Sequence, residues 1–305
     1  IEGGDVYLIP LNMVPADATA ADRPPTADEE QEPEEDDAPP DEERAVLRNG
    51  VEVRKTEYDA AAARHRLQTV YLPLYEDVAG RVVRREANDI GNAAKRLLGK
   101  GKRGEFDEWL ERFWVEDEAF VRRQYAPLMR SYAAQIEELT ERETGRTAQG
   151  SVEGFADAYL DEAARRHVNH LRARVNAAIS GRRAEIGEEE PADDAALVAQ
   201  IEAMLEHLRE SEPERMARQE SVRANNALAI ALYGLMQIFR KRWITFGDNC
   251  PYCDSLAGRT IDLDAFFLAL GQQFLPEGAE LPLIPGQNVG HAPAHDGCDC
   301  MVVAG

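Results

Sequence analysis

The first 249 residues of this 305-residue chain contain no cysteine; all four lie in the last quarter. No stretch approaches the roughly 18 uninterrupted apolar residues of a membrane-spanning helix, and no signal peptide is present. These absences suit a reducing, cytoplasmic compartment in which thiols stay unpaired. None of the six histidines is followed two positions later by Glu, which excludes the zinc-deaminase signature. There is no Ser-His-Asp order, no Gly-rich phosphate loop and no defensible pair of catalytic acids; the Glu pairs on helical stretches read as solvated faces. Aromatic residues are missing from 17–43, where thirteen acids and five prolines stand against one Arg. Such a stretch cannot bury enough apolar surface to offset its ordering entropy, so it reads as a disordered acidic linker. The net charge of −22 is therefore uneven, and outside 17–43 only about −10 remains. Acidity alone does not exclude a nucleic-acid partner.

What is present is concentrated at the far end. Cys250-Pro-Tyr-Cys253 is followed, after 41 intervening residues, by His295-Asp-Gly-Cys298-Asp-Cys300. Two short-spaced pairs in Gly/Pro-rich stretches look like two halves of one soft-metal site, with zinc the expected ion. The ligands would be Cys250, Cys253, Cys298 and Cys300, with His295 an alternative to Cys298 or Cys300, because C-x-C is tighter than C-x-x-C. Two disulfides or four free thiols are the plainer alternatives. Cys250-Pro-Tyr-Cys253 also matches a glutaredoxin redox site, which needs a helix starting at its first cysteine. Gly258 and an expected strand over Arg259–Leu263 argue against that helix. An HNH-like nuclease, suggested by His291, His295 and Asp296, is the enzyme alternative.

The chain divides into four stretches: 1–16, an extended tail limited by Pro10 and Pro15; 17–43, the linker; 44–239, a helical body; and 240–305, a Cys-rich end. An Ile at position 1 is expected of a fragment or a processed product. Helical spacing runs through Leu67, Val70, Tyr71, Leu74, Tyr75, Val78 and Val82, and again through Val121, Tyr125, Leu128, Tyr132, Ile136 and Leu139. Leu197, Ile201, Met204, Leu205 and Leu208 predict a third helix. Leu228, Leu232, Leu235, Met236 and Phe239 predict a fourth, beginning at Ser211-Glu-Pro-Glu. Pro73 and Pro127 are expected kink points. Breaks are expected at Gly99–Gly104, Gly145–Gly154 and Gly181–Gly187. Beyond 240, short strands are expected at Arg242–Phe246, Arg259–Leu263 and Met301–Val303, with a short helix at Asp264–Gly271. So small a unit depends on a metal staple. The expected fold is mainly α: an elongated multi-helix body with a zinc-stapled α+β end.

Two helical stretches are basic. Residues 81–103 carry eight Lys/Arg against two acids, and 165–183 carry six Arg and two His against none. A solvated face paired with acidic neighbours explains them most simply. The sharper reading is sequence-indifferent contact with DNA phosphates through Arg165, Arg166, Arg172, Arg174, Arg182 and Arg183.

Trp243, Asp248, Cys250-Pro-Tyr-Cys253, Leu256, Gly258-Arg259 and His295-Asp-Gly-Cys298-Asp-Cys300 resemble the C-terminal signature of phage head morphogenesis proteins, the Mu-F-like minor capsid proteins. Ala217-Arg218-Gln219-Glu220 with Asn225 is similar to that family's Ala-Arg-Thr-Glu helix, Gln219 replacing Thr. Ala292-Pro293-Ala294-His295 keeps one of the two prolines frequent in the family. The likeness covers about residues 105–305. Gly4-Asp5-Val6-Tyr7-Leu8-Ile9-Pro10-Leu11-Asn12-Met13-Val14-Pro15 separately resembles the last segment of a tailed-phage portal protein, so a portal fusion is expected. The resemblance implies a non-catalytic assembly protein that enters the procapsid with the portal and affects head assembly and DNA packaging or delivery. Its partners would be the portal and other capsid or scaffold components. Its place would be the virion, and the host cytoplasm during assembly.

Overall fold

The structure, a computed structural model, describes residues 44–47, 49–186, 194–247 and 250–305. The tail expected at 1–16 and the linker expected at 17–43 lie outside the described residues. The chain is mainly helical, with a small sheet-containing end.

A hairpin of β1 (Arg44–Val46) and β2 (Glu52–Arg54) leads directly into α1 (Lys55–Leu97). The hairpin was not foreseen, because three-residue strands carry almost no alternation signal. Glu57 caps α1 by accepting the Arg54 amide at 3.2 Å and also holds Arg242 at 2.7 Å. After a single 3-10 turn (Leu98–Lys100) come α2 (Arg103–Thr144), α3 (Glu153–Ile186) and α4 (Asp194–Leu235). With 43 residues, α1 is about 65 Å long. Helix breaks fall where Gly101 and Gly145 adopt left-handed conformations. The break expected from Gly181 starts later, since α3 continues to Ile186.

Three interior prolines do not divide the helices. Pro73 and Pro127 sit on exposed faces of α1 and α2, where the carbonyl each leaves unbonded can face water. Pro213 lies inside α4, so the expected third and fourth helices are one. Ser211 does not cap a new helix; its hydroxyl bonds back to the His207 carbonyl at 2.8 Å. An interior proline costs about 3 kcal/mol. Burial on both sides of it, Leu197 to Leu208 and Ala217 to Tyr233, offsets that cost.

The buried stripe of α1 also differs from the expected one. Val70 and Leu74 are exposed, whereas Arg64, Gln68 and Glu86 are inside with Tyr75, Val78 and Val82. The polar residues are buried because each has partners. Arg64 donates to the Tyr233 hydroxyl at 2.9 Å and to the Val302 carbonyl, and faces Glu143. Gln68 donates to Ser221 at 2.8 Å.

The C-terminal end forms a three-stranded antiparallel sheet in the order β4-β3-β5, built from β3 (Arg240–Ile244), β4 (Thr260–Asp262) and β5 (Met301–Ala304). Between β3 and β4 lies a short helix, α5 (Pro251–Leu256). No helix forms at Asp264–Gly271. That stretch belongs to an extended loop closed by bridges Leu268–Val289 and Phe274–Leu283. The sheet has no core separate from the body. Trp243, Cys253, Cys300 and Val302 belong to the same buried cluster as Tyr75, Tyr132 and Leu228. Met301 and Val303 point the other way, into a smaller cluster with Leu47, Val53 and Ala61.

Candidate metal centre

Each cysteine motif is shaped by its local sequence. Cys250 has extended geometry as the N-cap of α5 and Pro251 fills the first helical position, where a missing N–H does no harm. One turn later Cys253 falls on the buried side. The sequence reading excluded a helix here, and that expectation is corrected: the six-residue α5 starts at the first cysteine. Its brevity explains the miss, since Gly258 follows so closely. In the second motif Gly297 takes φ +77°, which lets the chain turn so that the Cys298 amide donates to the His295 carbonyl at 3.3 Å.

The two motifs meet. His295 Nε2 lies 3.0 Å from Cys250 Sγ and 3.2 Å from Cys253 Sγ. Cys253 Sγ lies 3.7 Å from Cys298 Sγ. Donor atoms fall into two triads, Cys250–Cys253–His295 and Cys253–Cys298–Cys300, each within 4.8 Å. The triads share Cys253, so an ion at that sulfur reaches donors from both motifs. Two thiolates on one tetrahedral zinc-sized ion stand about 3.8 Å apart, which the Cys253–Cys298 separation matches. No disulfide is present. The cluster can therefore hold a metal ion.

Protonation in the cluster has the same logic. The bond from Cys253 holds the Cys298 thiol well below its ordinary range, and the Cys253 thiol is driven up by that same bond, with burial adding to it. His295 Nδ1 contacts the Asp296 carbonyl at 2.7 Å, which fixes the proton on Nδ1 and presents Nε2 to the sulfurs.

The surroundings bolt the second motif to two long helices. From α4, Gln219 donates to Asp296, and Asn226 donates to the Cys300 carbonyl at 3.1 Å and accepts from the Val302 amide at 2.8 Å. From α1, His65 meets Asp299 at 3.3 Å. Asn226 was missed by sequence reading, because a lone Asn in an apolar helix carries no spacing signal. Trp243 is fully buried against Phe267 and lies beside the Cys300 sulfur. His291 belongs to neither donor triad; it is half-buried, and desolvation pushes its pKa down to about 4.

The described arginines of α3 are each paired with a carboxylate. Arg165 pairs with Glu162 and Glu118, Arg166 with Glu220 at 3.1 Å, Arg172 with Glu111 at 2.7 Å and Arg174 with Glu212 at 3.4 Å. These four behave as the simpler sequence reading describes, a face paired with acidic neighbours. The side chains of Arg182 and Arg183 lie outside the description.

No helix among the described residues is long and apolar enough to cross a membrane. Comparison with protein-family models, with curated proteins and with solved structures found no match.

Proposed function

We propose that this chain is a non-catalytic phage minor capsid protein of the head morphogenesis type, acting at the portal vertex, and that its cysteine cluster carries one structural zinc ion. The observation that carries the reading is spatial. Those residues of the head-morphogenesis signature that the structure describes, far apart in sequence, form one contiguous unit; Asp248 lies outside the described residues. Gln219 bonds Asp296, Trp243 backs Cys300, and Gly258 admits the hairpin residue Val51 to a distance no side chain would tolerate. A signature spent on such contacts serves architecture.

Zinc is the ion the donors suit, since soft thiolates with one imidazole select it among common cations. Cys253 joins Cys250 and His295 in one donor triad and Cys298 and Cys300 in the other, so the coordinating four come from these five residues. Cys253, Cys298 and Cys300 are all buried, as befits a closed structural site; hydrolytic zinc keeps a position open to water. The partners in this reading are the portal and other capsid or scaffold components, met in the host cytoplasm during assembly and retained in the virion. The acidic stretch 17–43 would tether this body to a portal segment.

The test pairs a head-assembly assay with a nuclease assay. The expected result is that the wild-type chain cleaves no DNA with or without added zinc, while Cys250→Ser gives defective heads. Metal-dependent cleavage by the wild type that Cys250→Ser abolishes would establish the HNH-like alternative instead.

A further inference from the structure

Near the turn that joins them, α1 and α2 enclose an open cleft of about 370 Å³. Its wall on α1 carries Arg85, Asn92 and Arg96, spaced along one helical face; its wall on α2 carries Trp109 and Arg112. Three guanidinium groups thus converge from two helices on one space. They are not equivalent. Arg85 is fixed, with its guanidinium over Phe120 at 4.4 Å, an ion pair to Asp89 and a hydrogen bond to buried Asp117. Arg96 and Arg112 make no hydrogen bond or ion pair with any described residue. Arg66, Arg123 and Arg130 are likewise without ion pairs among the described residues, but Arg96 and Arg112 line one shared cleft. Even Glu116, which lines the same cleft one helical turn from Arg112, forms no ion pair with it.

The cleft belongs to the basic stretch 81–103 that the sequence singled out. Its floor is firm: Trp109 stacks on Phe113 at 5.0 Å, and Phe113 is buried. Arg96, Arg112 and Asn92 line this recess, and their N–H groups are donors of the kind that bind the oxygens of a phosphate group.

We propose that the α1–α2 cleft binds phosphate through Arg96 and Arg112, with the backbone of a nucleic acid as its source. The inference does not rest on the capsid reading. It also places nucleic-acid contact on a different face from the α3 arginines.

The experiment uses the full chain and fluorescence anisotropy of a labelled single strand and a labelled duplex, each about 20 nucleotides long, across a salt series. Calorimetric titration with inorganic phosphate runs beside it. The variants are Arg96→Glu with Arg112→Glu, the conservative Arg96→Lys with Arg112→Lys, and Arg165→Glu with Arg172→Glu as a control on α3. Circular dichroism checks that each stays folded. The expected result is at least a tenfold loss of oligonucleotide affinity in the first variant, and a slope of log affinity on log salt shallower by about 2. The lysine pair should recover part of the loss, and the α3 control should change little. If inorganic phosphate binds and the oligonucleotides do not, and the first variant abolishes that binding, the cleft stands as a phosphate site with free phosphate as its source. Binding that is unchanged in the first variant, lost only in the α3 control, or undetectable for every probe at low salt would overturn the proposal.

Discussion

The side chain of Asn226 grips the last strand from both sides of Met301: Oδ1 accepts the Val302 amide at 2.8 Å while Nδ2 donates to the Cys300 carbonyl at 3.1 Å. With Gln219, which donates to Asp296, it ties the second cysteine motif to α4. Asn226→Ala strands a buried N–H and a buried carbonyl, a loss of about 3 kcal/mol. Chemical denaturation should show that loss, and the variant should also release bound metal more readily to a chelator. Asn226→Asp offers only acceptors when ionised, so it should keep the Val302 contact, lose the Cys300 contact and destabilise as well. An unchanged denaturation midpoint in both variants would mean that the grip is incidental.

Purified protein under reducing conditions should carry about one zinc per chain, and removing it should expose the sheet-containing end. Far-ultraviolet dichroism should fall little, because most residues of the shared buried core come from α1 to α4. Proteolysis within 264–300 should become fast. Among single variants, Cys253→Ser should lose metal most completely, since Cys253 belongs to both donor triads. His295→Gln should weaken binding more than Cys300→Ser. Metal content below about half an equivalent in the wild type would count against the site altogether.

The existence of long helices was legible because apolar spacing survives over many turns, as at Val121, Tyr125, Tyr132 and Ile136, all buried. The meeting of the two cysteine motifs was legible because paired ligands in separate turns have little other use. Helix ends were less so. A proline rule predicted a start at Ser211, and tertiary packing on both sides of Pro213 overrode it. The stripe on α1 was misplaced because Arg64 and Gln68 count as polar in any periodicity, yet are buried through partners more than 150 residues away in sequence. The partners of the α3 arginines lie on other helices, at Glu111, Glu118, Glu212 and Glu220. No local pattern announces such pairs.

Gly258 supplies a sharp test of how the hairpin docks. It has φ +78°, and a Cβ there would stand 2.4 Å from Val51 Cγ1. Gly258→Ala therefore meets both backbone strain and a clash, and should destabilise by about 2 kcal/mol. Combining it with Val51→Ala should recover the part due to the clash and leave the part due to φ. If the double variant is no more stable than Gly258→Ala alone, the close approach of Val51 is not what the glycine serves.

The buried group of Glu86, Asp117 and His167 makes stability depend on pH in a defined direction. Asp117 is fully buried, and burial together with the neighbouring Glu86 charge pushes its carboxyl up to about 8. His167 is largely shielded from water, which opposes its charging, but Glu86 at 2.6 Å more than reverses this and raises its pKa. Both groups hold protons in the folded state that the unfolded chain releases at lower pH, about 4 for Asp and 6.5 for His. Their contribution is fully present below those values and is lost as pH rises through the folded values. The Asp117 part of this loss should lower the Tm between about pH 4 and 8. Asp117→Asn cannot ionise, yet its side-chain carbonyl can still accept from Arg85, so the variant should show a flatter decline and exceed the wild type at the alkaline end. Parallel Tm curves for the two proteins would show that Asp117 keeps the same proton affinity folded and unfolded.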